Sequence, residues 1–154
     1  MTQTSTVRIA TKDDFKEIWR LFLCVHKENG LFPLSPDKVN FFLNRVLHPE
    51  MIHEADTGPR GAIGVIGRAG SLEGFAFMLI GEFWYSNSKH LEELAVYVDS
   101  EHRKSTHAKA LIAWMKDQVE ITGIPLITGI ISNHQTEAKC RLYGRMLPKV
   151  GEFF

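Results

Sequence analysis

The sequence predicts one α/β domain over residues 1–154, in which a mixed sheet carries helices on both faces. One observation is the unbroken apolar run at residues 75–80, which is typical of a central strand buried on both sides. Another is the series of a strand-like segment (94–98), a long amphipathic segment and a second apolar segment (126–131). Strand, helix, strand is the pattern of a crossover between parallel neighbours. The predicted order is β-α-α-β-β-β-α-β-α, with a short terminal strand after it.

The first third of the chain is predicted to hold one short strand and two helices. Residues 7–9 alternate between apolar and polar and indicate a first or edge strand. Thr11 is the expected N-cap of an apolar series at helical spacing, which ends at Asn29-Gly30. Ser35-Pro36-Asp37 is a second start signal, and its helix ends at His48-Pro49.

A hairpin and a crossover are expected in the rest of the chain. Turns at 58–61 and 69–71 separate a glycine-broken strand (62–68) from the apolar strand at 75–84. Residues 86–88 turn the chain toward the strand at 94–98. Apolar residues from 108 to 119 share one helical face, and Gly123 ends that helix. Residues 133–146 indicate a less regular last helix, and residues 148–154 a short terminal strand.

Composition narrows the class of protein. Apolar residues make up 44% and charged residues 23%, and the formal net charge is zero. A neutral chain offers no strong field for nucleic acid or for an anionic membrane, so neither partner is expected. No apolar run approaches the roughly 18 residues of a membrane span, and the first residues do not resemble a secretion signal. Cys24 and Cys140 are far apart without metal-ligand spacing, which indicates buried thiols and a cytoplasmic location.

The polar turn at residues 99–105 is the expected working part. It lies between a strand and a helix, and four of its residues are Asp99, Glu101, His102 and Arg103. The helix that follows offers backbone N–H groups without intrahelical acceptors and the positive end of its dipole. Such a place suits an anion.

These features resemble the GNAT-type N-acetyltransferase superfamily over nearly the full chain. The family binds the pyrophosphate of acetyl-CoA with the pattern Arg or Gln, two residues, Gly, one residue, Gly or Ala. The matching residues here are Arg103, Lys104, Ser105, Thr106, His107 and Ala108. Thr106 stands where the family has glycine, and a left-handed backbone there would cost about 1–2 kcal/mol. An ordinary polar strand-to-helix turn explains the same residues without a ligand.

The resemblance also implies how the acetyl donor is held. In the family the fourth and fifth strands splay apart and acetyl-CoA enters the gap, so a main-chain N–H of Val96 or Val98 would polarise the thioester carbonyl. Asn133, after the fifth strand, would touch the pantetheine arm, although an N-cap role explains it equally well.

Two side chains are expected to carry the chemistry. Glu92, six residues before Val98, matches the place of the family's general base; Glu93 has the opposite parity, and only one of the two should face the cleft. Tyr143 matches the tyrosine that protonates the leaving thiolate. Solvated glutamates at a strand start, and a tyrosine packed on a helix, are the alternatives.

The predicted function is acetyl-CoA-dependent N-acetyl transfer to a primary amine by direct attack, with a small-molecule or peptide acceptor and no metal. The C-terminal residues 142–154 resemble small acetyltransferase-like proteins of tailed bacteriophages, which would place the protein in the host cytoplasm. The short final segment leaves the acceptor pocket incomplete, and a homodimer would complete it. A non-catalytic acyl-CoA-binding or virion-associated protein and a small-ligand sensor are the alternatives. The aromatic residues at 41–42 and 83–85 are expected in the core, but Trp84 and Tyr85 end a strand near the cleft, where an acceptor could touch them.

Overall fold

The computed structural model describes residues 6–130 and 135–151. Its helices and strands are β1 (Arg8–Ile9), α1 (Phe15–Asn29), α2 (Pro36–Leu47), β2 (Gly61–Arg68), β3 (Ser71–Glu82), β4 (Lys89–Val98), α3 (His107–Thr122), β5 (Leu126–Ile127) and α4 (Thr136–Met146). Short 3-10 turns lie at Lys12–Asp14, Pro49–Met51 and Ser100–His102. This order confirms the predicted one. The predicted terminal strand is not seen at residues 148–151, and its last three residues lie outside the described part.

The five strands form one mixed sheet in the order β1-β2-β3-β4-β5. Every neighbouring pair is antiparallel except β4 and β5, which are parallel. The predicted parallel relation is therefore correct, but the pairing lies before the predicted segment 94–98 of β4. β5 pairs with the beginning of β4, at Leu91 and Glu92, and leaves the segment 94–98 without a β5 partner.

Two apolar cores lie on opposite faces of this sheet. The first core packs α1 and α2 on the sheet, and its members include Ile18, Leu43 and Phe75. The second core lies under α3 and α4, with Met78 and Leu111 among its members. Because alternate residues of β3 enter the two cores, the structure confirms the prediction of a central strand buried on both faces.

Helix ends follow the sequence signals closely. The Ser35 hydroxyl accepts a hydrogen bond from the Lys38 N–H at 3.4 Å, and Pro36 is the first residue of α2. Gly123 ends α3 in the left-handed conformation, at φ 71°, which a residue with a side chain adopts only with strain. Thr11 instead precedes a 3-10 turn, where its N–H donates to the buried Asp14 carboxylate at 2.9 Å.

The two cysteines differ in exposure. Cys24 is half-buried and Cys140 is exposed, so the prediction of buried thiols is wrong for Cys140. It lies on a surface face of α4. Within residues 6–130 and 135–151, every helix is too short or too polar to cross a bilayer.

Candidate active site

A cleft of about 670 Å³ opens where β4 and β5 separate. The two strands pair only at Leu91 with Leu126 and at Glu92 with Ile127, and beyond these pairs they diverge. The cleft takes its lining from the rest of β4, residues 127–130, the end of α1, the start of α3 and the inner face of α4. A gap between two strands exposes backbone donors that a continuous sheet would use.

The hydrogen-bond alternation of β4 determines which donors face this gap. The Asp99 N–H donates to the Glu73 carbonyl of β3 at 2.8 Å, so the odd-numbered positions nearby direct their N–H groups toward β3. Val96 and Val98 are the alternate positions, and both line the cleft. Their N–H groups therefore point away from β3 and toward the gap. The role of either N–H as an oxyanion donor stays a prediction.

A β-bulge decides which glutamate shares a face with Val96. Met78 pairs with Glu93 and Phe77 with Ala95, so Leu94 is the extra residue of β4. A bulge reverses the alternation of side chains on either side of it. Glu93 consequently lies on the same face as Val96, three positions away, next to α3 and α4. In a regular strand Glu92, six residues before Val98, would share this face instead.

Glu93 and Tyr143 form a buried pair in the cleft. The Tyr143 hydroxyl donates a hydrogen bond to Oε1 of Glu93 at 2.8 Å. Burial raises the pKa of Glu93 to about 7, although the hydrogen bond from Tyr143 lowers it in part. Oε2 of Glu93 is buried and has no hydrogen-bond partner among the described residues. The pair thus offers one carboxylate oxygen to a further proton donor at near-neutral pH.

Burial also acts on the phenol of Tyr143. It raises the pKa of Tyr143 well above its ordinary value, and the neighbouring Glu93 charge raises it further. The phenol therefore stays protonated at any physiological pH. It can donate a hydrogen bond, and the same rise in pKa makes it a weaker acid than an exposed phenol.

Glu92 lies in a different environment from the one expected. Its side chain is 55% exposed, and its Oε2 is 4.0 Å from Nε2 of His90. It pairs with Leu79, a residue that packs on the first core, so it lies on the α1 and α2 face of the sheet. Glu92 still lines the cleft, but at its outer end.

The predicted pyrophosphate turn leads from β4 into α3. Lys104, Ser105 and Thr106 are exposed, and His107 begins the helix. Thr106 has φ −89°, an ordinary right-handed value, so its side chain causes no backbone strain. Ser105 Oγ accepts a hydrogen bond from the His107 N–H at 3.2 Å. The small Ala108 lines the cleft at the start of α3.

His107 has a structural partner that the sequence did not indicate. Its ring is buried and its Nε2 lies 3.0 Å from Oε2 of Glu73, while Nε2 of His102 lies 2.8 Å from Oε1 of the same carboxylate. Glu73 on β3 therefore ties the turn to the sheet through two imidazoles. The side chain of His107 is used for this anchoring, and its backbone N–H donates to Ser105 Oγ.

Arg103 is held by a carboxylate of α1. Its Nη2 lies 2.6 and 2.7 Å from the two carboxylate oxygens of Glu28. Its Nε donates to the Val98 carbonyl at 3.2 Å, and its guanidinium lies over the Tyr97 ring at 5.4 Å from the centroid. Glu28 also lines the cleft, and sequence reasoning missed it because nothing local separates it from the other charged residues of α1.

Two further expectations concern Asn133 and a metal. Asn133 lies outside the described residues. In residues 6–130 and 135–151, no group of three or more His, Cys, Asp or Glu side chains is arranged to hold a metal ion. The polar groups that converge on the cleft include backbone N–H donors, the Glu93 carboxylate as an acceptor and the Tyr143 phenol as a donor. Such groups suit a carbonyl, an anion and an amine.

No protein-family model and no curated protein sequence matches the chain. Solved structures do match it. A possible acetyltransferase from Clostridium difficile superposes with a TM-score of 0.71 at 17% identity, over 97% of this chain and 94% of that one. A ribosomal-protein-alanine N-acetyltransferase from Brucella melitensis gives 0.68 at 18% identity, over 98% and 96%. An aminoglycoside acetyltransferase from an uncultured soil metagenomic sample gives 0.67 at 14% identity, over 99% and 96%.

The mixed sheet and its four helices have the GNAT acetyltransferase fold that these structures share. The similarity extends over almost the whole of each chain, so it concerns the complete architecture rather than a common motif.

Proposed function

We propose that the protein is an acetyl-CoA-dependent N-acetyltransferase that transfers the acetyl group to a primary amine by direct attack. The observation that carries this proposal is the buried Glu93–Tyr143 pair, whose 2.8 Å hydrogen bond lies in the gap between β4 and β5. We assign the general base to Glu93 instead of Glu92, because Glu93 is the buried carboxylate with a pKa of about 7.

The donor would lie along the free edge of β4. The N–H groups of Val96 and Val98 point into the gap and can donate to the thioester carbonyl oxygen, where negative charge grows during attack. The N–H groups at the start of α3, with Ser105 and Thr106 beside them, can bind a diphosphate, and Ala108 leaves room for it. Lys104 is exposed next to them and supplies positive charge.

Glu93 and Tyr143 would share the proton transfers. Glu93 accepts a proton from the substrate ammonium through Oε2, which makes the amine nucleophilic. The amine nitrogen forms a bond to the carbonyl carbon, and the bond from carbon to sulfur breaks. Tyr143 gives its proton to the departing thiolate and regains one from Glu93, while the nitrogen releases its second proton to water. The products are an amide, free thiol and one proton.

The solved structures with this fold support an amine acceptor. Two of them are named for acetylating an aminoglycoside and a ribosomal-protein alanine, and both kinds of molecule carry amines. At 14% and 18% identity their acceptors do not transfer to this chain, but the nucleophile class does fit a carboxylate base with a pKa of about 7.

The test is release of free thiol from acetyl-CoA in the presence of a panel of primary amines. We expect turnover by the wild type and a fall of about a hundred- to ten-thousandfold in kcat for Glu93→Gln, which removes the base but keeps the shape. Glu120→Gln, on the exposed face of α3, is the matched control and should retain full activity.

The alternative of a binding protein predicts a different result. If acetyl-CoA raises the melting temperature but no amine in the panel releases thiol, the protein binds the donor without turning it over. Absence of donor binding by calorimetry at high micromolar concentration would refute both functions.

A further inference from the structure

The cleft has two ends, and the donor turn lies at only one of them. β4 runs from Lys89 to Val98, and the predicted diphosphate turn follows its C-terminal end. Glu93 lies five residues before Val98, which is roughly 16 Å along an extended strand. The N-terminal end of β4 lies beyond Glu93 on the side away from that turn. With the donor between the turn and Glu93, this other end is left for the acceptor.

An exposed aromatic cluster borders this end of the cleft, and its first residue, Phe83, lines the cleft. The Ser86 N–H donates to the Phe83 carbonyl at 3.1 Å and closes a turn that presents Phe83, Trp84 and Tyr85, which we call the aromatic turn. The rings of Phe83 and Tyr85 are stacked, with centroids 5.7 Å apart, and the Phe83 ring lies 4.7 Å from that of His90. Trp84 is 95% exposed and Tyr85 is 68% exposed, so the expectation that these residues lie in the core is wrong.

The aromatic turn adjoins carboxylates. Phe83, His90 and Glu92 line the same cleft as Glu93. Lys89, the first residue of β4, is paired with Glu82. Lys139 of α4 also lines the cleft, where its Nζ contacts Asn29 at the end of α1. Arg145 of α4 also lines the cleft, and among the described residues it forms no ion pair with Glu92. The acceptor end therefore combines ring faces with the half-exposed charge of Glu92, and both attract organic cations.

We infer that the acceptor is an amine with a second positive charge, an aliphatic diamine or polyamine, whose distal ammonium binds Glu92 and the aromatic turn. One amine would reach Glu93 and lose its proton, while the other would stay charged at the outer end. The inference rests on the proposed function, because it names the substrate class of that same site. It also gives Glu92 a role in specificity instead of base catalysis.

The experiment compares diaminopentane with pentylamine, which has the same carbon chain and a single amine. We expect kcat/KM to be higher for diaminopentane by about tenfold or more in the wild type. Glu92→Gln should reduce this ratio by about fivefold, chiefly through KM for the diamine. Trp84→Ala should reduce it by about threefold. Both side chains are exposed enough for the variants to fold.

The controls separate this inference from the proposed function. Glu120→Gln makes the same charge change away from the cleft and should leave the ratio unaltered. Turnover of both amines with equal kcat/KM, or a ratio that Glu92→Gln and Trp84→Ala leave unchanged, would overturn the diamine assignment and leave the acetyltransferase intact. If no free thiol is released with these amines or with any amine of the wider panel, that result would instead count against the proposed function.

Discussion

At the scale of single residues, one hydrogen bond distinguishes two adjacent glutamates. Glu92 and Glu93 have the same side chain, but Glu93 is buried against α4 and bonded to Tyr143, whereas Glu92 is half-exposed. Burial disfavours the charged form of a carboxyl group, which explains why the pKa of Glu93 rises to about 7. A base with this pKa is largely deprotonated just above neutrality and still accepts protons readily.

The pH dependence of the proposed reaction follows from this pKa. The deprotonated form of Glu93 is the active one, so kcat/KM should rise as the pH increases through about 7 and then level off. In Tyr143→Phe the hydrogen bond that lowers the pKa of Glu93 is lost, so the midpoint should move to higher pH, and kcat should fall about a hundredfold or more. Rate profiles of both proteins measure this. If Tyr143→Phe left the midpoint unchanged, the hydrogen bond from Tyr143 would not set the pKa of Glu93, which would contradict this prediction.

The titration of Glu93 should lower the free energy of unfolding as the pH rises, whereas it raises kcat/KM. The pKa of Glu93 is raised from its unfolded value near 4.5 to about 7, so the folded protein binds the proton more tightly. The resulting stabilisation is complete below pH 4.5 and is lost as the pH rises through 7. Glu93→Gln removes the buried charge and should raise the free energy of unfolding by roughly 1–3 kcal/mol well above pH 7. Urea denaturation on either side of that pH tests this. Equal effects at acid and alkaline pH would contradict it.

At the scale of secondary structure, the sequence was informative where the signal is local. Ser35-Pro36 begins α2 and Gly123 ends α3 because caps act within a few residues. The β4 bulge at Leu94 has no such signal, since it depends on how β4 pairs with β3. Counting positions back from Val98 therefore led to Glu92. The separation of β4 from β5 was expected only from the family resemblance, because pairing between distant segments leaves no mark in a single strand.

The turn before α3 gives a prediction about Thr106. Its φ of −89° means that glycine would relieve no strain there, contrary to what the motif suggests. Thr106→Gly adds flexibility to the unfolded chain and to the turn, so it should leave acetyl-CoA affinity equal to that of the wild type or about threefold weaker. Calorimetric titration with acetyl-CoA measures the effect. Tighter binding would show that the ligand requires a left-handed residue at this position.

At the scale of the whole molecule, the Glu28–Arg103 pair joins α1 to the turn before α3. Glu28 is on α1, which packs on one face of the sheet, and Arg103 precedes α3, which packs on the other. Helical periodicity did not reveal this pair, because its partners are 75 positions apart.

The cytoplasmic location, the phage origin and the homodimer stay predictions, since no contact within one chain bears on them.

Glu28 would compete with the diphosphate of acetyl-CoA for binding to Arg103. Both of its carboxylate oxygens contact Nη2 of Arg103, and a phosphate that bound this guanidinium nitrogen would meet the same carboxylate. If the diphosphate of acetyl-CoA binds Arg103, it must displace Glu28, and the lost ion pair opposes binding. Glu28→Gln should then tighten acetyl-CoA binding by about three- to tenfold and lower the melting temperature by about 2–4 °C. Calorimetry and thermal denaturation measure the two effects, with Glu120→Gln as the control. Weaker binding with the same loss of stability would mean that Glu28 orients Arg103 for the donor.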